Sequence, residues 1–268
     1  MFFSFLTKIN YKTSNYIELT SKKMLWAVIL SKEMVSKAAK IENLKGRNRF
    51  RFIKVLANTL QGRIYLVQDK KGEYPWVVVK ETWKELVKQG KSREGHKVPE
   101  NFENEKKVQL FLSNLEEQNE GYVRCIENWE DENCYYLAME YCAAGELFDF
   151  IRDNHTKGKL NEVVKNASSQ KQKCQDVPNQ WSLYVQSIFR QLVDTVSWMH
   201  RHGVAHLDLS LENTMLASAD KNQAKVKIID FGLAQQLSPD QTFQEKVGKL
   251  GYMSPEVIFF LISFFFAE

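Results

Sequence analysis

The most constraining feature of the chain is the run His206-Leu-Asp-Leu-Ser-Leu-Glu-Asn213, followed by Asp230-Phe-Gly232. Asp208 and Asn213 stand five residues apart just beyond a long helical pattern, and Asp230 closes the aliphatic run Lys227-Ile-Ile-Asp230. Aspartates and asparagines are common in turns, and a lone His-x-Asp carries little information. Here two hard-oxygen donors and a third, each placed directly behind a regular element, fall in one register. Few oxygen ligands of this kind suit magnesium that is bound together with substrate phosphates.

The rest of the chain supplies the framework for such a site. Residues 51–56, 63–67 and 76–79 are β-rich runs separated by Gly62 and by Asp69-Lys-Lys-Gly72, which read as three sequential antiparallel strands. A polar stretch spans 88–99, and Phe102, Val108, Phe111, Leu112 and Leu115 recur near the helical period over 102–115. Residues 122–129 and 134–141 read as two more strands around Glu130-Asp-Glu-Asn133, and 146–152 as a short helix. Residues 153–180 are polar with almost no aliphatic cluster, as in a surface insertion. From Trp181 to His202 the positions Leu183, Val185, Ile188, Leu192, Val196 and Met199 restore a helix that Gly203 stops. Short strands at 215–217 and 226–229 flank the second half of the motif. Five strands followed by helices make an α+β chain.

Phosphoryl transfer needs a group that accepts the proton of the attacking hydroxyl, metal ligands, and cations on the phosphates. With these elements in order, residues 50–256 resemble the protein kinase superfamily. The resemblance implies a two-lobed fold, with a five-stranded antiparallel small lobe and an incomplete, mainly helical large lobe. The expected divisions are an N-terminal extension at 1–45, the small lobe and hinge at 46–141, part of the large lobe at 142–256, and an atypical apolar tail at 257–268. ATP and Mg2+ are the implied cofactors, and Ser/Thr-containing protein the implied substrate. Asp208 is then the base, Asn213 and Asp230 the magnesium ligands, and Lys80 in Val77-Val-Val-Lys80 the lysine on the phosphates. Its glutamate partner is Glu105, with Glu103 the alternative. Leu56, Gly62, Ile64, Val78, Met139, Glu140, Cys142 and Met215 are implied to hold the nucleotide, Met139 as gatekeeper and Glu140 to Cys142 as hinge. Glu146 faces the ribose and the peptide groove, where it favours basic flanking residues, or else starts a helix.

Several positions depart from the pattern. Of the three glycines of the phosphate-covering loop only Gly62 remains, with Ala57 and Thr59 at the others, so weaker or slower nucleotide binding is expected. Leu207 replaces the arginine that commonly receives an activation-loop phosphate, so activation by such a phosphate is not expected. Ser210 stands where Ser/Thr kinases place a lysine, and Lys249, in Gly248-Lys-Leu-Gly-Tyr-Met-Ser-Pro-Glu256, where they place a threonine. Either the two roles are exchanged, Lys249 bringing the cation and Ser210 the hydroxyl, or two unrelated losses have occurred. After Glu256 the family continues with helices that the tail does not resemble, which implies a truncated or mis-assembled chain. A pseudokinase, acting as a nucleotide-binding or scaffolding module, is therefore the second reading. A small-molecule phosphotransferase is the third, and the segment 248–256 speaks against it.

The net charge of +4 over 268 residues is not gathered into a basic block, so nucleic acid is not implied as a partner. Cys125, Cys134, Cys142 and Cys174 form no CxxC pair, which fits reduced thiols in the cytoplasm. Met24-Leu-Trp-Ala-Val-Ile-Leu30 is too short to span a bilayer and reads as a buried helix, and the first ten residues lack the features of a secretory signal. The sequence sets no oligomeric state.

Overall fold

The computed structural model describes residues 47–156, 180–219, 224–237 and 247–253. The extension at 1–45, most of the polar insertion and the tail lie outside the described residues. Five antiparallel strands, β1 (Phe50–Asn58), β2 (Gly62–Asp69), β3 (Val77–Trp83), β4 (Cys125–Glu130) and β5 (Cys134–Glu140), form one sheet in the order β1-β2-β3-β5-β4. Period-two alternation divides its residues between two cores. Tyr65, Val67, Val77 and Val79 join Phe50 and Tyr136 on one face. Ile64 and Val78 join Leu137, Met139, Met215 and Ile229 on the other. Burial on both faces explains why these strands read as continuous apolar runs. On the first face Trp129 stacks between Phe50 and Tyr136, with ring centroids 5.5 and 5.1 Å apart.

Between β3 and β5 the chain forms α1 (Lys84–Gln89) and α2 (Phe102–Ser113). The sequence reading missed α1, whose six residues include no buried one and therefore leave no apolar stripe. Gly90 ends it at φ 60°, the left-handed conformation of a helix cap. Asn101 caps α2, its side chain accepting the Asn104 amide at 3.2 Å.

The helical half contains α3 (Leu147–Thr156) and α4 (Gln180–Arg201), with the small pairs β6 (Val204–Ala205) with β9 (Gln235–Gln236) and β7 (Thr214–Ala219) with β8 (Ala224–Ile228). The two halves share a core in which Val108 and Leu112 of α2 meet Trp198 and Met199 of α4, Tyr122 and Phe231. Tyr122 stacks on Trp198 at 5.5 Å and meets the edge of Phe231 at 6.1 Å. Among the described residues no helix is long and apolar enough to cross a membrane.

Gly62 pairs with Thr82 at the start of β2, and a Cβ added there would lie 1.8 Å from the Glu81 carbonyl oxygen. That neighbour is main chain in the centre of the sheet and cannot swing aside. Gly62→Ala should cost about 3 kcal/mol, lowering the melting temperature by roughly 6–12 °C. A calorimetric scan within a degree of wild type would show that β2 and β3 separate more easily than this packing requires.

Candidate active site

A cleft opens between the lower face of the sheet and the β7–β8 pair. Ile64, Val78, Met139, Cys142 and Met215 give it apolar walls, and Glu140 also lines it. Its other end is polar, with Lys80, Glu105 and Asp230. Sequence reasoning had marked Ala57 and Thr59 only as lost glycines, and both line the cleft. Tyr141, inside the expected hinge, lines it as well, and Leu60, Glu100, Val123 and Ile229 also line it and were not anticipated. Adjacency was the available signal for two of them, since Leu60 follows Thr59 and Ile229 precedes Asp230. Leu56 packs behind the wall, against the same core, and Gly62 acts through the sheet. Glu146 is buried and lies outside the cleft. It sits at the head of α3, where its carbonyl accepts the Phe150 amide at 3.1 Å, a position that fits the helix-start reading.

Lys80 on β3 and Glu105 on α2 meet across the cleft. Lys80 Nζ donates to both carboxylate oxygens at 2.7 Å and lies 3.8 Å from Asp230 Oδ1. Burial opposes the Lys80 charge, but the attraction of Glu105, Asp230 and Glu100 outweighs it and holds the lysine pKa above its ordinary range. The choice between the two glutamates follows from helical phase: Glu105 is 3 % exposed, whereas Glu103 turns outward to Lys106 at 2.9 Å. Glu140 pairs with Arg124 at 2.9 Å and with Lys227 at 2.8 Å, which ties the strand-end at Glu140 to β8.

The loop 206–213 is built around two buried groups. His206 Nε2 lies 3.0 Å from the Ile229 carbonyl oxygen, and its Nδ1 accepts the Asp208 amide at 3.3 Å. Burial pushes its pKa down to about 4, so the ring is neutral and links the loop to the residue before Asp230. Asn213 is fully buried, and its Nδ2 donates to the Asp208 carbonyl and to Asp208 Oδ2, each at 2.7 Å. Its Oδ1 has no hydrogen-bond partner among the described residues. A buried acceptor left open costs free energy unless something fills it, and a hard cation would. Burial raises the Asp208 pKa, while Lys249 and Asn213 oppose the rise. Leu207 and Asp230 both adopt left-handed backbone, at φ 65° and 64°. Such conformations are uncommon for residues with a Cβ and persist where the surroundings hold them, often at functional sites.

The segment 247–253 closes over this loop. Lys249 Nζ donates to Ser210 Oγ at 2.8 Å and lies 3.9 Å from Asp208 Oδ2 and 3.6 Å from Glu212. Gly248, at φ 102°, makes the approach feasible, since a Cβ there would fall 2.5 Å from the Leu207 carbonyl oxygen. Ser210 Oγ also accepts the Asn213 amide at 3.2 Å, so the hydroxyl joins Lys249 to the turn that carries Asn213. Among the described residues no group of three or more His, Cys, Asp or Glu side chains could hold a metal ion alone. An amide oxygen and one aspartate are instead what a cation shared with a phosphate ligand requires.

The chain is 34% identical over 143 residues to calcium-dependent protein kinase 14 of Arabidopsis thaliana, a match covering 53% of this chain and 22% of the relative. It is 34% identical over 136 residues to calcium/calmodulin-dependent serine/threonine-protein kinase 1 of rice (51% of this chain, 19% of the relative). It is 33% identical over 140 residues to serine/threonine-protein kinase ksp1 of Schizosaccharomyces pombe (52% and 25%). The chain thus spans about a fifth to a quarter of the length of these curated relatives. The family model for the protein kinase domain matches residues 60–262, well over half of the chain, and the chain belongs to the protein kinase family.

Proposed function

We propose that this chain transfers the γ-phosphoryl group of ATP to serine or threonine hydroxyls of proteins, with Asp208 accepting the hydroxyl proton. The observation that carries the reading is the coincidence of the bidentate Lys80–Glu105 pair, 3.8 Å from Asp230, with the Asp208–Asn213 pair, whose Asn213 carbonyl accepts the Ile229 amide at 3.0 Å. Asn213 and Lys249 both approach Asp208 from its Oδ2 side. Oδ1 is therefore the oxygen for the substrate hydroxyl, and the raised pKa makes the carboxylate a better base than an ordinary aspartate.

The apolar walls and polar end of the cleft fit a flat heterocycle with a charged tail. Lys80, held cationic, would take the phosphates, and Asn213 Oδ1 with Asp230 would hold Mg2+. ATP supplies the transferable phosphoryl group, and the metal neutralises charge on its oxygens. Lys249 brings a second cation to the place where that charge develops, and Ser210 orients it. Specificity for serine and threonine rests on the resemblance of 248–256 and on two relatives whose names include serine/threonine-protein kinase. The buried Glu146 lends no support of its own to a preference for basic flanking residues. A cytoplasmic setting fits the free thiols of Cys125, Cys134 and Cys142.

The test is incubation of the chain with Mg2+ and γ-labelled ATP on a mixture of Ser/Thr peptides, beside a melting scan with and without nucleotide. Labelled phosphoserine or phosphothreonine is expected, together with a rise in melting temperature when nucleotide is in large excess over its dissociation constant. Stabilisation without labelling would establish a pseudokinase instead, and neither signal would remove nucleotide binding altogether.

A further inference from the structure

The loop of residues 57–62, which helps to line the cleft, is held from outside. Its residues Ala57, Thr59 and Leu60 line the cleft, yet two of the three positions where glycine would let it flex carry a Cβ. Gln61 points away from the cleft and is 8 % exposed. Its Nε2 donates to the Leu86 carbonyl at 3.1 Å and to the Lys91 carbonyl at 3.0 Å. Leu86 lies in the last turn of α1, and its carbonyl also accepts the amides of Gly90, the helix cap, and of Lys91, the latter at 3.1 Å. Both hydrogens of the carboxamide are thus used, and no other side chain of that size offers two neutral donors.

The partner segment, 84–98, is itself folded to receive the loop. Ser92 is buried, and its Oγ accepts the amides of Glu94 and His96 at 3.2 and 3.1 Å. Lys91 bridges Lys97, and the Val98 amide donates to the Gly90 carbonyl at 2.9 Å. From this strap the Arg93 amide donates to the Leu60 carbonyl at 2.8 Å. The Arg93 guanidinium donates to Asn58 Oδ1 at 3.3 Å and lies over the Trp83 ring at 4.7 Å. The Trp83 amide in turn donates to the Gln61 carbonyl at 2.9 Å. Asn58, Leu60 and Gln61 are therefore all tied to one strap.

We infer that Gln61 is a positioning residue for the nucleotide: its carboxamide latches the loop 57–62 to the strap 84–98 and so sets the loop over the phosphate end of the cleft before ligand arrives. The inference rests on the nucleotide-binding reading of that cleft. A preset loop spares the ligand the cost of ordering it, so breaking the latch weakens binding chiefly through faster release.

The experiment is stopped-flow release of a fluorescent ATP analogue from the full chain in the presence of Mg2+, with hydrogen exchange across the loop and a melting scan. Gln61→Ala removes two hydrogen bonds and should speed release about tenfold, with faster exchange at 57–62. Gln61→Glu, which sets a carboxylate against two carbonyls, should speed it further, and KM for ATP should rise more than kcat falls. Arg93→Ala loosens the same strap without altering the loop and should act in the same direction to a smaller extent. Wild-type release rates in both Gln61 variants overturn the inference, as does a lower melting temperature with release unchanged. If the Gln61 variants do not fold, Arg93→Ala decides, and its unchanged release rate is the overturning result. Failure of the wild-type chain to bind the analogue removes the nucleotide reading itself, before any variant is compared, and the latch with it.

Discussion

Lys249→Met is expected to lower turnover by about 10²–10³-fold, the range typical for loss of one preset charge-stabilising group, while the dissociation constant for ATP changes little. The lysine reaches the loop from a segment 39 residues away, donating to Ser210 Oγ at 2.8 Å with Asp208 Oδ2 at 3.9 Å. Its side chain is 34% exposed, so its attraction to Asp208 in the ground state is weakened by solvent. The effect on rate comes instead from the moment when charge moves onto the transferred group and solvent is excluded. If Lys249 and Ser210 have exchanged the roles that Ser/Thr kinases assign to a lysine and a threonine, the exchange is reversible. Ser210→Lys alone crowds two cations together and Lys249→Thr alone removes the only one described there, so each single change lowers kcat. The double variant should recover a large part of it, a non-additivity expected of residues in contact. Near-normal turnover in Lys249→Met, or strictly additive losses in the cycle, would leave Lys249 as an incidental surface lysine.

Asp208→Asn should cost about 10²–10⁴-fold in kcat, the usual range for a general base, again with nucleotide binding retained. Asparagine keeps an acceptor for the Asn213 amide, so the loop stays folded and the change falls on proton acceptance. With Asp208 as the proposed base the carboxylate form is the active one, and burial raises the Asp208 pKa. Turnover should therefore fall on acidification with a midpoint above that of an ordinary aspartate, about 3.9. Because Lys249 opposes the rise, residual activity in Lys249→Met should lose its acid limb at still higher pH. Equal labelling by Asp208→Asn and wild type would show that the hydroxyl needs no base here, or that the base is elsewhere.

Much of this arrangement was legible because it depends on short-range pattern. The run 206–213 and the strand before Asp230 place their oxygens through turns that the local sequence encodes, and period-two alternation separated Val78 from Val77 and Val79. What stayed hidden depends on contacts distant in sequence. Helix α1 has no buried face, so no periodicity announces it, and the strap it anchors shows its purpose only where Gln61 and Arg93 reach it. Glu103 and Glu105 differ by two positions in one helix, and only the direction of α2 relative to β3 selects the inner one. Glu146 could not be told from a cleft residue, since the same carboxylate serves a helix head or a ligand and burial alone distinguishes them. The left-handed backbone at Leu207 and Asp230 has no residue signature, because neither is glycine.

Cys142 belongs to the cleft wall, and burial pushes its thiol pKa up to about 12. At neutral pH the group is then held as the thiol. An electrophilic inhibitor aimed at this sulfur would meet a poor nucleophile, and covalent capture would depend on long reversible residence beforehand. The same property gives the site resistance to mild oxidants, which attack thiolates first. Selective chemical targeting of this kinase domain would accordingly begin from reversible shape complementarity to the walls around Met139 and Met215, with the warhead a secondary refinement.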